Sequence, residues 1–436
     1  MYKKIIFLSF LLSHFFSQAQ RTLTLTDAIK LGMDHSTLLK TDAAKTAIAQ
    51  LKTKQIWNAQ IPTISLSSAY NRLSDNITPF TIKFPNGAEQ TLNPQILNQF
   101  SNRLSIQQVV FSGWRAKNYF EANQYLEKAV ALDADKNKAE VRFNIQSAVL
   151  NLAKLQKTQT ILSENLKVLK GRQTDTKNFV AQGTALENDL LKVDLAISQL
   201  ETTKIEVENA IAMAQFGLAI MLGLPESEAI SIDEKDLTSN ESASDLTTYL
   251  KMAVANRSEL AALEQRNMAT TKQVEIARGA YYPVVTVGAN AYLNNPNQRV
   301  FPQQDAFKGT WDAGIALQWN LTNLYTNQYN LQEAQVSQSQ VQLQKTQLSE
   351  GIKTEVAASY YAYQTTIAKD ALQGKFITQT TENQRVTKNK YNAQLSTLTD
   401  LLEADFMLFQ AQENALSSKI DKQIAFYKLL KAVSKN

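Results

Sequence analysis

Two long stretches without proline constrain the fold of this chain more than any other feature. One runs from Gly113 to Leu222 and the other from Thr322 to the C-terminus, and leucine, alanine, lysine, glutamine and glutamate dominate both. Because these residues are strong helix formers and proline interrupts helices, both stretches are predicted to be helical. They align with an offset of about 212, in which Phe179 meets Tyr391. We therefore predict two very long helical hairpins built on one pattern.

The first twenty residues are typical of a secretory signal. Lys3 and Lys4 precede an apolar segment from Ile5 to Phe16, and Ser17-Gln18-Ala19 forms a small-x-small cleavage site. An apolar segment of about a dozen residues is too short for a bilayer core of ~30 Å, which argues against a membrane anchor. We predict a signal peptide over residues 1–19. Since the sequence has no other long apolar run, we expect no transmembrane helix in the mature protein.

The residue types available exclude several classes of function. The chain has no cysteine, and its formal charge of +5 falls to about +3 when Lys3 and Lys4 leave with the signal. His35 is then the only histidine, and beside Asp34 we expect it to be a solvated or capping residue. Metal sites and acid–base catalysis rely largely on such side chains, and no glycine-rich phosphate loop is present. We predict no enzyme, no cofactor, no metal site and no nucleic-acid partner.

Four segments outside the helical stretches, two in each half, alternate apolar and polar residues, which is the period of a strand. In the first half, a helix from Leu23 to Trp57 is predicted, with Thr26-Asp27 as its N-cap candidate, and Pro62 follows it. After Pro62 come a strand with Ile64, Leu66 and Tyr70 on one face, a loop from Asn76 to Gln99, and a strand with Leu104, Ile106 and Val110 on one face.

The second half repeats this order at an offset near 221. It has a helix from Asp245 to Tyr281, then Pro283, a strand from Val285 to Leu293, a loop from Asn294 to Lys308 and a strand from Trp311 to Leu321. On the apolar face of the last strand, Trp311 and Trp319 are separated by about 26 Å, as aromatic girdles at two membrane interfaces would be. The alternative is a soluble sandwich strand with a tryptophan core.

These elements predict a mainly α fold with a small membrane β-barrel portion. Four strands cannot close a barrel, and an open sheet leaves unpaired edges in a bilayer, so membrane strands would require oligomerisation. The predicted divisions are a first repeat over residues 20–222, a linker over 223–245 and a second repeat over 246–436. The first repeat has a β-hairpin at 62–111, a long helix at 113–182 and a helix at 186–222; the second has a β-hairpin at 283–321, a long helix at 322–391 and a helix at 398–433.

In its order, spacing and duplication of elements, the chain resembles the TolC family of outer-membrane efflux and secretion channels. The resemblance also rests on Phe111-Ser112-Gly113 before the first long helix, on Gly183 to Leu191 at the first tip and on Tyr391 to Ala404 at the second. It implies a homotrimer in outer-membrane lipid, with a twelve-stranded barrel and a helical tunnel into the periplasm. It also implies a periplasmic adaptor and an inner-membrane pump of the RND or ABC type, and a belt around the tube formed by Leu224 to Leu246.

The resemblance further implies a periplasmic gate. Asp400 and Glu403 match the family's acidic ring, and the alternative for them is an ordinary solvated acidic face. Tyr391 matches a family tyrosine that ties the closed tip, while Asp189 matches its aspartate only with one residue of slippage, because the 212 register places Asp189 opposite Leu401. The family's arginine position is Ser396 here. We expect a different latch, with candidates Lys388, Lys390, Asn188 and Thr397.

The adaptor-docking turns of the family correspond to two short segments at the tips. Gln182-Gly183-Thr184 keeps the family's glycine, whereas Gln394-Leu395 lacks it. The function implied is a passive exit duct of a tripartite efflux pump or type I secretion system. The alternatives are a periplasmic adaptor, which usually has a single hairpin, and an envelope coiled-coil scaffold without a pore.

Overall fold

The computed structural model describes residues 21–233 and 244–435. The predicted signal peptide at 1–19, and residues 234–243 of the predicted linker, lie outside the described residues. The first half contains β1 (Arg21–Leu23), α1 (Leu25–His35), α2 (Thr37–Asn58), β2 (Thr63–Arg72), β3 (Phe80–Lys83), β4 (Glu89–Asn93), β5 (Asn98–Phe111), α3 (Arg115–Ala181), α4 (Glu187–Leu222) and β6 (Ile230–Ile232). The second contains α5 (Leu246–Asn256), α6 (Ser258–Gly279), β7 (Val284–Asn294), β8 (Lys308–Gln318), α7 (Asn323–Thr326), α8 (Gln328–Asn392) and α9 (Leu398–Ala432).

The start of the chain differs from its prediction. Leu23 is not helical, because Arg21–Leu23 pairs in parallel with Ile230–Ile232 as β1 and β6. Helix α1 therefore begins at Leu25, and its N-cap is Thr24 rather than Thr26-Asp27. The Thr24 Oγ1 accepts a hydrogen bond of 3.1 Å from the Asp27 backbone N–H, which satisfies one of the free donors of the first turn.

Each helix predicted before a strand pair is broken once, at equivalent positions of the two halves. Ser36 separates α1 from α2 with ψ 113°, and Arg257 separates α5 from α6 with ψ 113°. These residues are 221 positions apart, as are the first residues of α1 and α5, of α2 and α6, and of β2 and β7. The break at Arg257 is tied to the C-terminal helix, since its Nη1 donates to the Ala432 carbonyl oxygen at 3.0 Å.

The four long strands form one antiparallel sheet in the order β2-β5-β7-β8. Its register aligns the apolar positions of neighbouring strands, as in Ile64 with Ile106 and Ala291 with Trp311. The apolar side is open to the surroundings: Ile64 is 67% exposed and Trp311 is 78% exposed. The alternative of a tryptophan core is therefore wrong for Trp311. The strands β2 and β8 each have one unpaired edge within the described sheet.

The opposite side of the sheet is polar. Asn290 is at its centre, where its Oδ1 accepts from Ser105 Oγ at 2.7 Å and from Arg103 Nη2 at 2.8 Å. Its Nδ2 donates to Asp312 Oδ1 at 2.6 Å, and Asp312 also pairs with Arg299 at 2.6 Å. The sheet thus has one apolar face and one hydrogen-bonded face, which is the alternation of a barrel strand in a membrane.

The segment Asn76 to Gln99, predicted as a loop, contains a second small hairpin. β3 and β4 pair antiparallel around Asn86 and Gly87. Gly87 has φ 82°, and the Ala88 carbonyl oxygen accepts from the Phe84 N–H at 2.8 Å. Asn-Gly is a strong turn signal because both residues tolerate positive φ, so the hairpin has a local cause in the sequence.

The chain forms two compact units, each drawn from both repeats. The tip unit comprises Met1–Asp42, Ala134–Ser258 and Ser349–Asn436, and the strand unit comprises Ala43–Asp133 and Glu259–Leu348. Two buried clusters form the apolar core of the tip unit. The first includes Ile145, Val149, Leu152, Leu218, Leu222 and Ile230, and the second includes Leu162, Leu166, Val193, Ile197, Leu398 and Phe409.

Helix α4 is the one helix in the described parts that is long and apolar enough, by length and composition alone, to cross a membrane. Its residues Val193 and Ile197 are buried in the second core cluster, and Leu218 and Leu222 are buried in the first. This packing accounts for its apolar composition, so we assign α4 to the helical hairpin of the tip unit.

The turn before α3 depends on two glycines in contact. Gly113 has φ 65°, and the Gly113 carbonyl oxygen lies 2.6 Å from the point where a Cβ on Gly279 would stand. We expect Gly113→Ala to reduce the free energy of unfolding by about 2 kcal/mol or more, through left-handed strain and overlap with Gly279. Gly171→Ala, inside α3 with open space around it, is the control and should raise stability by up to ~1 kcal/mol. Equal urea midpoints for the two variants would contradict this.

Candidate functional site

The first helical tip ends α3 with a glycine turn. The Thr184 N–H donates to the Phe179 carbonyl oxygen at 2.9 Å, and the Gly183 N–H donates to Val180 at 2.9 Å. This pair of bonds is the Schellman motif, which requires a left-handed residue after the helix. Gly183 fills that position with φ 72°. Glycine adopts this conformation without steric cost, which explains its presence at the turn.

The second tip uses the same turn without a glycine. The Leu395 N–H donates to the Lys390 carbonyl oxygen at 2.8 Å, and the Gln394 N–H donates to Tyr391 at 3.0 Å. Gln394 has φ 59°, so it stands where Gly183 stands in the first tip. A left-handed residue with a side chain costs roughly 1 kcal/mol, and the surrounding hydrogen bonds hold it there.

The two turns correct the alignment of the repeats at the tips. Gly183 and Gln394 are 211 positions apart, and so are the first residues of α4 and α9, Glu187 and Leu398. The offset of 212 is therefore wrong here by one residue. Asp189 corresponds to Asp400 as the third residue of its helix, so no slippage is needed.

Asp400 completes a capping box at the start of α9. Its Oδ2 accepts from the Thr397 N–H at 2.9 Å, from Thr397 Oγ1 at 2.8 Å and from Ser396 Oγ at 3.0 Å. The hydrogen bond from the Thr397 backbone, followed by those from the Thr397 and Ser396 hydroxyls, holds the pKa of Asp400 below its usual range. Ser396 thus supports the acidic residue directly. Glu403, one turn further along α9, is exposed.

The link between the two hairpins at the tips comes from Lys192, which sequence reasoning missed. Lys192 Nζ lies 3.2 Å from Asp189 Oδ1 on its own helix and donates to Thr399 Oγ1 on α9 at 3.1 Å. The side chains of the expected candidates Lys388, Lys390 and Asn188 form no hydrogen bond or ion pair in residues 21–233 and 244–435. At an offset of 211, Lys192 is the counterpart of the predicted gate residue Glu403. The correct offset would therefore have pointed to Lys192 as a tip residue.

Tyr391 lies half-buried between the hairpins. Burial raises the pKa of its phenol above the ordinary range, the charge of Asp189 adds to this, and the nearby Arg172 opposes it. The neighbouring Thr176 side chain also acts to lower this pKa. Tyr391 and Asp189, predicted to form part of one latch, are therefore in the same environment, although no hydrogen bond joins them in the described structure.

Deeper in the tip unit, a repeated polar pair connects each long helix to the helix after it. Gln173 Nε2 donates to Asp194 Oδ1 at 2.7 Å, and Gln384 Nε2 donates to Asp405 Oδ1 at 2.8 Å. The two pairs are 211 positions apart. Asp405 also faces Arg172 of α3, with 3.5 Å between Nε and Oδ2. Because both side chains are about nine-tenths buried, this ion pair fixes how the two hairpins meet.

The remaining predicted residues are on exposed surfaces. Gln182, Gly183, Thr184, Gln394 and Leu395 are all exposed at the two turns, with Leu395 at 77%. On the strand unit, Trp311 is on the apolar face of the sheet, and Trp319 follows β8 with its Nε1 donating to the Tyr281 carbonyl oxygen at 3.1 Å. Within residues 21–233 and 244–435, no group of three or more acidic or histidine side chains could hold a metal ion.

Comparison with known proteins identifies the fold. Residues 249–434 match the family model described as outer membrane efflux protein. The channel CusC is 17% identical, with a TM-score of 0.79 over 94% of this chain and 91% of CusC. VceC of Vibrio cholerae, an outer membrane protein, is 17% identical, with a TM-score of 0.78 over 94% of this chain and 95% of VceC. An open state of the MtrE outer membrane channel of Neisseria gonorrhoeae is 16% identical, with a TM-score of 0.74 over 94% and 88% of the two chains.

An uncharacterised protein of Haemophilus influenzae is 22% identical over 293 residues. The match covers 66% of this chain and spans 63% of the length of that relative. The family model and the folds together confirm the resemblance to the TolC family and the mainly helical architecture with strands. The solved structures with this fold are those of outer-membrane channels.

The capping box gives a test of the second tip. Thr397→Ala should destabilise the protein by about 1 kcal/mol, because α9 loses its N-cap.

The pKa of Asp400 is lowered in the folded state, so its ionised form stabilises the tip at pH values above the ordinary pKa of 3.8. This stabilisation is lost as the pH falls through the lower pKa of the folded state. The loss of stability on acidification should therefore be smaller in Asp400→Asn than in wild type, as measured by thermal unfolding.

The control is Thr202→Ala, on the exposed side of α4, where the hydroxyl donates only to the Ser198 carbonyl oxygen of the same helix. It should leave stability unchanged or slightly higher, since alanine favours helix. Equal destabilisation by both threonine variants would refute the capping role.

Proposed function

We propose that this protein is a passive exit duct, because residues 249–434 match the outer membrane efflux protein model and 94% of the chain shares the fold of an outer-membrane channel. Three copies would combine their sheets into a twelve-stranded barrel in the outer membrane and their hairpins into a periplasmic tunnel. A periplasmic adaptor and an inner-membrane pump of the RND or ABC type would complete the assembly. The observation that carries the proposal is the four-stranded sheet with one exposed apolar face and two open edges.

The sheet is suited to lipid on one side and water on the other. Its apolar side chains Leu66, Trp311 and Ile315 are 75%, 78% and 76% exposed, which would be a large unfavourable surface in water. The polar side, with Asn290 and Asp312, would then line the aqueous lumen. In this arrangement Trp311 and Trp319 are placed to contribute to aromatic girdles, with Trp319 close to the start of the helices.

The tips supply the proposed gate. Each chain places Asp189, Asp400 and Glu403 near the two turns, with Lys192 as the cation beside them. Three copies around one axis would carry nine carboxylates and three ammonium groups. An excess of negative charge in a constriction favours cations and repels anions. The capping role of Asp400 is compatible with this, because its carboxylate stays ionised and exposed while it accepts hydrogen bonds.

Opening of the gate would separate helices that are in contact here. The Lys192–Thr399 hydrogen bond joins α4 to α9 and would have to break if the first and second hairpins of one chain moved apart. A partner that binds the separated arrangement better would shift the equilibrium toward it. The exposed turns, Gln182-Gly183-Thr184 and Gln394-Leu395, are where we place the adaptor. Conductance separates this function from that of a coiled-coil scaffold without a pore.

Asp400→Ala combined with Glu403→Ala tests the acidic gate. We expect higher single-channel conductance in planar bilayers and a weaker preference for cations, because the repelling carboxylates are removed from the constriction. Trimer formation on a semi-native gel controls for folding. A correctly folded trimer with no conductance in any form would exclude the duct and favour the scaffold, while unchanged conductance and selectivity would exclude these two residues as the gate.

Lys192→Ala tests the tie between the hairpins. Losing the contact with Thr399 should loosen the tip and increase conductance several-fold, and losing a positive charge should strengthen cation preference. Lys204→Ala is the matched control, since Lys204 is on the same helix and, in the described part of the chain, pairs only with Glu208 one turn away, at 3.6 Å. If the two lysine variants conduct alike, the tie has no part in closure.

A further inference from the structure

Within one chain, two polar contacts toward the tip end of the tip unit join the first hairpin (α3–α4) to the second hairpin (α8–α9). Arg172 of the first reaches Asp405 of the second, and Lys192 of the first donates to Thr399 of the second. The side chains of Arg172 and Asp405 are only 11% and 9% exposed, because the opposite hairpin covers them. This interface uses one side of each hairpin.

Each hairpin has a second side, which the other hairpin of the chain does not cover. The internal repeat places counterparts of the interface residues on these two sides. At the offset of 211, Asn383 stands in the position of Arg172, and Asp194 stands in the position of Asp405. Asn383 is exposed, in contrast with the buried Arg172. Asp194 keeps the hydrogen bond from Gln173 on one oxygen, as Asp405 keeps the one from Gln384. The second carboxylate oxygen of Asp194 is the counterpart of Asp405 Oδ2, the atom that faces Arg172.

The second contact also has a counterpart, with its polarity reversed. Glu403 stands in the position of Lys192, and Asn188 stands in the position of Thr399. Both Glu403 and Asn188 are exposed. Where a lysine donates to a hydroxyl oxygen within the chain, a carboxylate would accept from an amide N–H at the counterpart. Donor and acceptor are exchanged together, so the pair stays complementary.

A pair of equivalent leucines shows the same difference in exposure between the two repeats. Leu402 of α9 packs half-buried against the second core cluster, in the interface within the chain. Its counterpart at the offset of 211 is Leu191 of α4, which is 61% exposed. A leucine that is buried in one copy of a repeat and exposed in the other marks a surface whose cover comes from outside the chain.

We propose that a second copy of this chain covers this surface, with the second hairpin of one subunit packed against the first hairpin of the next. Asn383 donates to Asp194 of the partner subunit, Glu403 accepts from Asn188 of the partner subunit, and α9 covers Leu191 of the partner subunit. The two surfaces differ, so the interface is head-to-tail, and three copies related by a threefold rotation would close it into a ring. The proposal rests on the homotrimer of the proposed function and identifies the side chains that join it.

The absence of cysteine from the chain allows a direct test. Asn383→Cys with Asp194→Cys in the same chain, treated with a short thiol-specific cross-linker, should give dimer and trimer bands on a denaturing gel. Arg172→Cys with Asp405→Cys is the matched control, which should cross-link within the chain and keep monomer mass. Each single cysteine variant should give monomer alone. Monomer bands alone from the first pair, in a protein whose native mass is that of a trimer, would overturn this interface and leave the proposed channel intact.

A charge series gives a second, independent readout. Asn383→Arg, which copies the ion pair seen within the chain, should shift dissociation of the trimer to higher temperature. Asn383→Asp should shift it to lower temperature by repulsion from Asp194 of the partner subunit, and Asp194→Asn in the same chain should restore the wild-type value. If Asp194→Asn fails to rescue Asn383→Asp, the pairing is wrong. A monomer under all conditions would instead remove the homotrimer, and the proposed channel with it.

Discussion

The backbone of a strand in hydrocarbon has no water to bind, so each edge must find another strand. This constraint governs the rest of the molecule. The sheet β2-β5-β7-β8 has an exposed apolar face and two open edges, and neither is stable alone in water or in lipid. In the proposed barrel, closure by further copies would satisfy both, and it would impose rotational symmetry on the subunits. Each chain in such a ring must present two complementary surfaces to its neighbours. An internal repeat provides them, because its two copies have related surfaces.

The repeat is not uniform along the chain, and the change in its offset has a structural cause. From α1 to β2, each element of the first half begins 221 positions before its counterpart in the second half, whereas at the tips the offset is 211. The difference of ten arises between the strands, where the first repeat inserts the β3–β4 hairpin and the second has only the connection from Asn294 to Lys308. Each helix and turn of the first repeat thus has one counterpart in the second. Because the turns fix the offset at the tips, every residue contact in one repeat can be assigned its counterpart in the other.

The sequence was informative where structure has a local cause. Alternation in Trp311 to Leu321 predicted β8, although the strand ends at Gln318, and the absence of proline predicted α3 and α8. It failed where the cause is distant: Arg21–Leu23 is extended because β6, far along the chain, pairs with it. The tip register failed for another reason. Each tip helix carries two adjacent leucines, Leu190-Leu191 and Leu401-Leu402, so an alignment that is wrong by one residue still places leucine on leucine. The turn that decides the register has Gln394, not glycine, in the left-handed position. The Lys192–Thr399 contact depends on that register, so it could not be found without it.

The two kinds of interface around the proposed ring are unequal in strength. Within a chain, a mostly buried Arg172–Asp405 pair holds the hairpins, and separating it would leave two charges without partners in a poorly hydrated site. Between chains, on the proposed pairing, an amide faces a carboxylate at both levels, and either group can return to water at lower cost. On the proposed pairing, the interface between chains would yield first when the tip opens. The Lys192–Thr399 hydrogen bond would break in a later step, as the two hairpins of each subunit move apart.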